Sequence, residues 1–172
     1  MRFENEYKYS AVMLIASLYI NEQKSKVCET LNIISKILFL HMADKKVHIK
    51  YWLEGADESW ESANVLIEGR RYMMALFCWH LCIEKLLKAN WVKDNEANFA
   101  PLTHNLILLH DQTLLSLPED MQADLKIINF WNIEGRYPDY RNLVYKSATK
   151  EYLEEKKPMI ENIRLCLLKK MQ

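Results

Sequence analysis

The chain has 172 residues in which 23 Lys and Arg are balanced by 23 Asp and Glu, so no net charge draws it to nucleic acid or an anionic membrane. Only 3 glycines and 4 prolines occur, and apolar residues recur at spacings of three and four, which argues against a sheet-built protein and predicts an all-α fold. The length suits one domain with a real core, alone or with an extension.

Apolar runs at residues 11–20 and 31–40 open the chain. Each falls well short of the roughly 20 residues that a membrane-spanning helix needs. A secretory signal is disfavoured by the mixed-sign start at Glu4, Glu6 and Lys8 and by the lack of a clear cleavage site after Ile20. Residues 1–41 are therefore expected to form a helical extension of one or two helices packed on the body. Met42-Ala43-Asp44-Lys45-Lys46 reads like a natural start, so the extension is also expected to lie upstream of the native protein.

The helical body is placed at residues 48–171. Leu53, Ala56, Trp60, Ala63 and Ile67 mark the buried face of its first helix, and Gly69 stands where a left-handed cap is wanted. A very short turn then leads into residues 73–92, so these two helices are antiparallel neighbours. Met73, Met74, Ala75, Leu76, Phe77, Cys78 and Trp79 run without a polar break, after which His80, Glu84 and Lys88 follow at steps of four. On an α-helix such steps advance only about 40°, which makes a narrow polar stripe on an otherwise apolar rod. Two readings of the stripe stand side by side. In the plainer one, His80 bonds a core carbonyl and Glu84 pairs with Lys88 at a groove rim, with no chemistry; in the other, the stripe is part of a site.

Cys78 and Cys82 face one way on this helix, and without a secretory signal they read as buried reduced thiols of a cytosolic protein. Structural zinc would need two further ligands, such as His80 or His104. His80 sits about 200° round the helix from each sulfur, and no second Cys pair exists, so no metal and no cofactor are expected.

Pro101 and Thr103 mark a loop and an N-cap for a short helix from about His104 to Leu115. Pro118, Glu119 and Asp120 open the next helix, whose buried face is Met121, Leu125, Ile128 and Trp131 and which Gly135 should end. A last helix begins near Ser147 or Thr149 and carries Tyr152, Ile160, Ile163 and Leu167. Pro158 should bend or break it, because it lacks a backbone donor and crowds the preceding turn. Between these two helices lies Arg136-Tyr137-Pro138-Asp139-Tyr140-Arg141. Its proline stiffens an extended turn bearing two guanidiniums and a carboxylate, either to tie helix ends together or to clamp phosphate while the tyrosines stack on a base.

Three segments together resemble the HEPN family, the higher-eukaryote and prokaryote nucleotide-binding domains. They are His80-Leu81-x-Ile83-Glu84-Lys85-x-Leu87-Lys88-Ala89, Thr103-His104-Asn105-Leu106 and Arg136-Tyr137-Pro138-Asp139, in the family's order and approximate spacing over about residues 49–170. The resemblance implies a five-helix, up-and-down bundle that usually dimerises. It also implies, as in small bacterial members, a separately encoded minimal nucleotidyltransferase as partner, in a toxin-antitoxin-like or defence module.

Many family members are metal-independent ribonucleases that use an arginine followed four to six residues later by a histidine. Here His41, His48, His80, His104 and His110 all precede Arg136, and aligning Arg141-Asn142 with the motif's opening puts Lys146 where the histidine should stand. An ordinary lysine is protonated at neutral pH and cannot serve as the base. Nucleotidyl transfer by this chain is also disfavoured, because it contains no Asp-x-Asp pair and no Gly-Ser turn.

The expected function is accordingly that of a nucleotide-, RNA- or partner-binding subunit, cytoplasmic and homodimeric, without membrane attachment. Its ligand-binding residues would be His80, Glu84, Lys88, His104, Arg136, Tyr137, Asp139, Tyr140 and Arg141. Arg136 and Lys88 would hold phosphate, Glu84 would orient either of them, and Tyr137 or Tyr140 would stack on a base. His104 is left between capping its own helix and joining the stripe. The alternatives are an endoribonuclease with an altered set, Glu84 or His104 as base and Arg136 as stabiliser, and a purely structural helical dimer.

Overall fold

The computed structural model describes residues 2–136 and 147–172. Among them the secondary structure is all-α: α1 (Arg2–Glu68), α2 (Tyr72–Asp94), α3 (Leu106–Asp111), α4 (Glu119–Arg136) and α5 (Lys150–Lys169). The chain divides into two compact units, residues 1–43 and residues 44–172. In the first, Val27, Leu31, Ile33, Ile34 and Ile37 stand exposed along α1. No helix among the described residues is long and apolar enough to cross a membrane.

In the second unit the turn after α1 closes a Schellman-type cap, with Arg71 N bonded to Leu66 O at 2.8 Å and Arg70 N to Ile67 O at 3.0 Å. The left-handed residue is Arg70, at φ 57°, and not the expected Gly69. The helical bonding simply continues one residue further, since Gly69 N still reaches Val65 O at 3.0 Å.

α2 is the central rod. It packs against α3, α4 and α5, and its buried residues run from Met73 to Val92 on nearly every side. Trp79, fully buried, lies between Trp60 of α1 and Trp131 of α4, each with its ring centre 6.2 Å away. With so much of its circumference covered by apolar neighbours, any polar group on α2 must find its partner inside the protein.

The shorter helices depart from the spacing-based reading at their ends. α3 is only Leu106–Asp111, and its cap is Asn105, whose side-chain oxygen accepts from Ile107 N at 3.1 Å and Leu108 N at 3.2 Å. Thr103 instead turns its hydroxyl oxygen to Asn105 N at 3.2 Å, one turn earlier. α4 opens at Glu119 as expected and passes Gly135 to end at Arg136. α5 starts behind Thr149, whose hydroxyl accepts from Tyr152 N at 3.3 Å, and it continues through Pro158 without a break. The proline leaves the carbonyl four residues earlier without its helical donor, but Leu153, Ile160, Ile163 and Leu167 bury the inner face and hold the helix together.

A buried carboxylate that reaches the surface through one histidine

Glu84 lies in the middle of α2, only 3 % exposed. Stripping a carboxylate of water costs several kcal/mol, so its surroundings must replace the lost hydration. They do so from three sides. Lys88, one turn on, places Nζ 2.8 Å from Oε1. His104, from the loop before α3, points Nδ1 at both oxygens, at 3.1 Å from Oε1 and 3.0 Å from Oε2. His80, one turn back, has Nε2 3.3 Å from Oε2, close enough for an ion pair although not aligned as a hydrogen bond. Burial alone would raise the carboxyl's pKa, but the contacts from His80, Lys88 and His104 and the Lys88 charge outweigh it and hold the group at about 2. Glu84 is thus an anion at any physiological pH.

Each partner is itself anchored. His80 is fully buried, and its Nδ1 faces Ile128 O of α4 at 3.1 Å, so the first of the two readings of this residue, a bond to a core carbonyl, describes what it does. Lys88 is 5 % exposed and its ammonium lies 4.9 Å from the ring centre of Trp52 of α1, a cation–π contact. Its ammonium is engaged by Glu84 and Trp52. Next along the helix, Lys85 turns the other way and donates to Gly55 O at 2.8 Å and Ser59 Oγ at 2.9 Å. Gly55 makes room for it, because a Cβ there would stand 3.3 Å from Lys85 Cδ.

Among the described residues of this cluster it is His104 that reaches the surface, with its side chain 46 % exposed. The loop that carries it is held at several points. Thr103 N donates to Pro101 O at 2.9 Å, the Asn105 cap fixes the start of α3, and Leu106 N donates to Asn129 Oδ1 of α4 at 2.9 Å. Further back, Asn98 Nδ2 donates to Asp44 Oδ2 at 2.8 Å. His104 therefore joins the stripe and leaves capping to Asn105. The structure brings together His80, Glu84, Lys88 and His104. The Arg136 side chain, Tyr137, Asp139, Tyr140 and Arg141 lie outside the described residues.

Three contributors carry no signal in the α2 spacing: Trp52, Ile128 and Asn129 come from other helices. Cys82 is buried with its thiol pushed up to about 12 by loss of hydration, and Cys78 is raised for the same reason, so both are poor nucleophiles. Among the described residues no group of His, Cys, Asp or Glu is arranged to hold a metal ion.

This all-helical arrangement agrees with comparison to known families, in which the HEPN domain model matches residues 49–170. The chain belongs to the HEPN family. Two solved structures share the fold: TT1696 from Thermus thermophilus, 21% identical with a TM-score of 0.62, covers 71% of this chain and 97% of its own. ST0689, described as an archaeal HEPN homologue, is 20% identical with a TM-score of 0.56 and covers 72% of this chain and 98% of its own. No match was found among curated proteins.

Proposed function

We propose that this HEPN chain is a cytoplasmic, homodimeric binding subunit that engages a nucleotide or RNA segment and works with a separately encoded minimal nucleotidyltransferase. Its binding surface centres on His104, extended by Arg136, Tyr137, Asp139, Tyr140 and Arg141 of the sequence between α4 and the last helix. The supporting observation is the Glu84 cluster, in which a buried anion neutralised by Lys88 and contacted by His80 opens outward through the one imidazole of His104. A strongly perturbed buried carboxylate with a partner at the surface is an arrangement that functional sites favour. Within this reading Lys88 and His80 support the anion from inside, and the phosphate contacts fall to the two arginines.

The family's usual ribonuclease pair does not occur, since no arginine of the sequence is followed after four to six residues by a histidine. Binding is therefore the role assigned by this reading, with nucleotidyl transfer left to the partner. Fluorescence anisotropy with labelled single-stranded RNA and with a labelled adenine nucleotide tests it. Arg136→Ala should weaken binding of one of these probes about tenfold or more, with the circular dichroism of the helices unchanged. Equal binding by variant and parent, or no binding by the parent, contradicts the assignment.

A further inference from the structure

The Glu84–His104 contact fixes more than position. An imidazole whose Nδ1 faces a carboxylate carries its proton there, and the lone pair is then on Nε2, at the other end of the ring. In this chain that end belongs to a side chain 46 % exposed, whereas the carboxylate end is sealed in the core. The carboxylate cannot swing away, because Lys88 at 2.8 Å and His80 at 3.3 Å hold it on the remaining sides. The backbone that carries the histidine is held on both sides, by Thr103 N on Pro101 O, Asn105 N on Thr103 Oγ1 and Leu106 N on Asn129 Oδ1. A base oriented by a buried acid and facing outward is the geometry of a proton-transfer pair.

We infer that His104 is a general base, with Glu84 as its positioning residue, acting on a hydroxyl of a ligand bound over the outer edge of the ring. This rests on the reading that the His104 surface faces a ligand, and it assigns that surface a reaction in addition to binding. In the step, the ligand's O–H bond breaks and an N–H bond forms at Nε2. The electron pair left on oxygen forms a bond to the electrophile, a phosphorus or a carbonyl carbon. As the bond to the leaving group breaks, that group takes the proton back from Nε2. Nothing is oxidised or reduced, and no metal enters the step. Glu84 stays ionised throughout and steadies the imidazolium while it exists, as its low pKa allows. The residues that supply this chemistry lie in α2 and the loop before α3, apart from the arginine–histidine pair that the family uses elsewhere.

Two measurements on the full chain test the inference without a natural ligand. The first is 15N NMR of the histidine rings, in which the neutral imidazole of His104 should carry its proton on Nδ1, with loss of that signature in Glu84→Gln. A proton on Nε2 overturns the inference. The second is hydrolysis of 4-nitrophenyl acetate, with water as the hydroxyl and 4-nitrophenolate leaving as the anion, so that Nε2 returns its proton to solvent. His104→Gln should lower the rate roughly tenfold, at the low end of what a positioned base contributes, and His48→Gln should leave it unchanged. A His104→Gln protein that folds and keeps the parent rate also overturns it. Ester cleavage that depends on His104 in a chain that binds neither RNA nor nucleotide supports the proton-transfer pair while removing the binding role.

Discussion

Lys88 Nζ stands 2.8 Å from Glu84 Oε1 and 4.9 Å from the Trp52 ring centre, so one ammonium is shared between an anion and an aromatic face inside the protein. That arrangement makes the two residues of the pair unequal in cost. Removing the carboxylate leaves the lysine its aromatic partner, whereas removing the lysine leaves a buried anion supported by histidines alone.

Lys88→Met should therefore destabilise the fold by about 3 kcal/mol, the usual cost of orphaning a buried charge. The double variant Glu84→Gln, Lys88→Met should recover more than half of that loss, since no uncompensated anion remains. Urea denaturation of the three proteins gives the comparison. Equal stability of the single variant and the parent would show that His80 and His104 suffice to hold Glu84.

The low pKa of Glu84 makes stability depend on acidity in a defined range. Folded, the group titrates at about 2 against an ordinary 4.5, so the folded state binds protons less readily than the unfolded chain. Its contribution is full above about pH 4.5 and is lost as pH falls from there through about 2. Acid unfolding should accordingly be shallower in Glu84→Gln than in the parent across that window, when stability is followed by tryptophan fluorescence. Parallel curves would contradict the assignment of the anion.

How much of this could be read along the chain differs from residue to residue. The His80, Glu84, Lys88 register is a property of one helix, so steps of four disclose it independently of packing. The ends of elements were less legible. At Arg70 the helix overruns the glycine, and at Asn105 the cap falls two residues beyond Thr103, because local bonding to Leu66 and to α4 decides the boundary. Trp52 and Ile128 reach the cluster from other helices, Asn129 holds the loop beside it, and no single-helix pattern points to any of them.

Arg70 takes a left-handed conformation at φ 57° with a side chain that disfavours it. Replacing it by glycine should stabilise the protein by about 1 kcal/mol, because the Schellman turn is kept and the steric penalty is relieved. Thermal melts of Arg70→Gly and Arg70→Ala separate this effect from loss of the side chain. Only the glycine variant should melt higher.

The thiols give a reading of the core. Cys82, fully buried with its ionisation pushed up to about 12, should resist alkylation by iodoacetamide at pH 8 in the native protein and react after denaturation. Rapid modification of Cys82 in the folded state, located by peptide mass spectrometry, would contradict the packing of α2.

The most direct test of the account is a map of backbone amide shifts on 15N-labelled protein as single-stranded RNA and then an adenine nucleotide are added. The largest changes should fall at His104, Asn105 and the end of α4 at Arg136, with at least one of the two ligands. Changes confined to other surfaces, or none with either ligand, would contradict it.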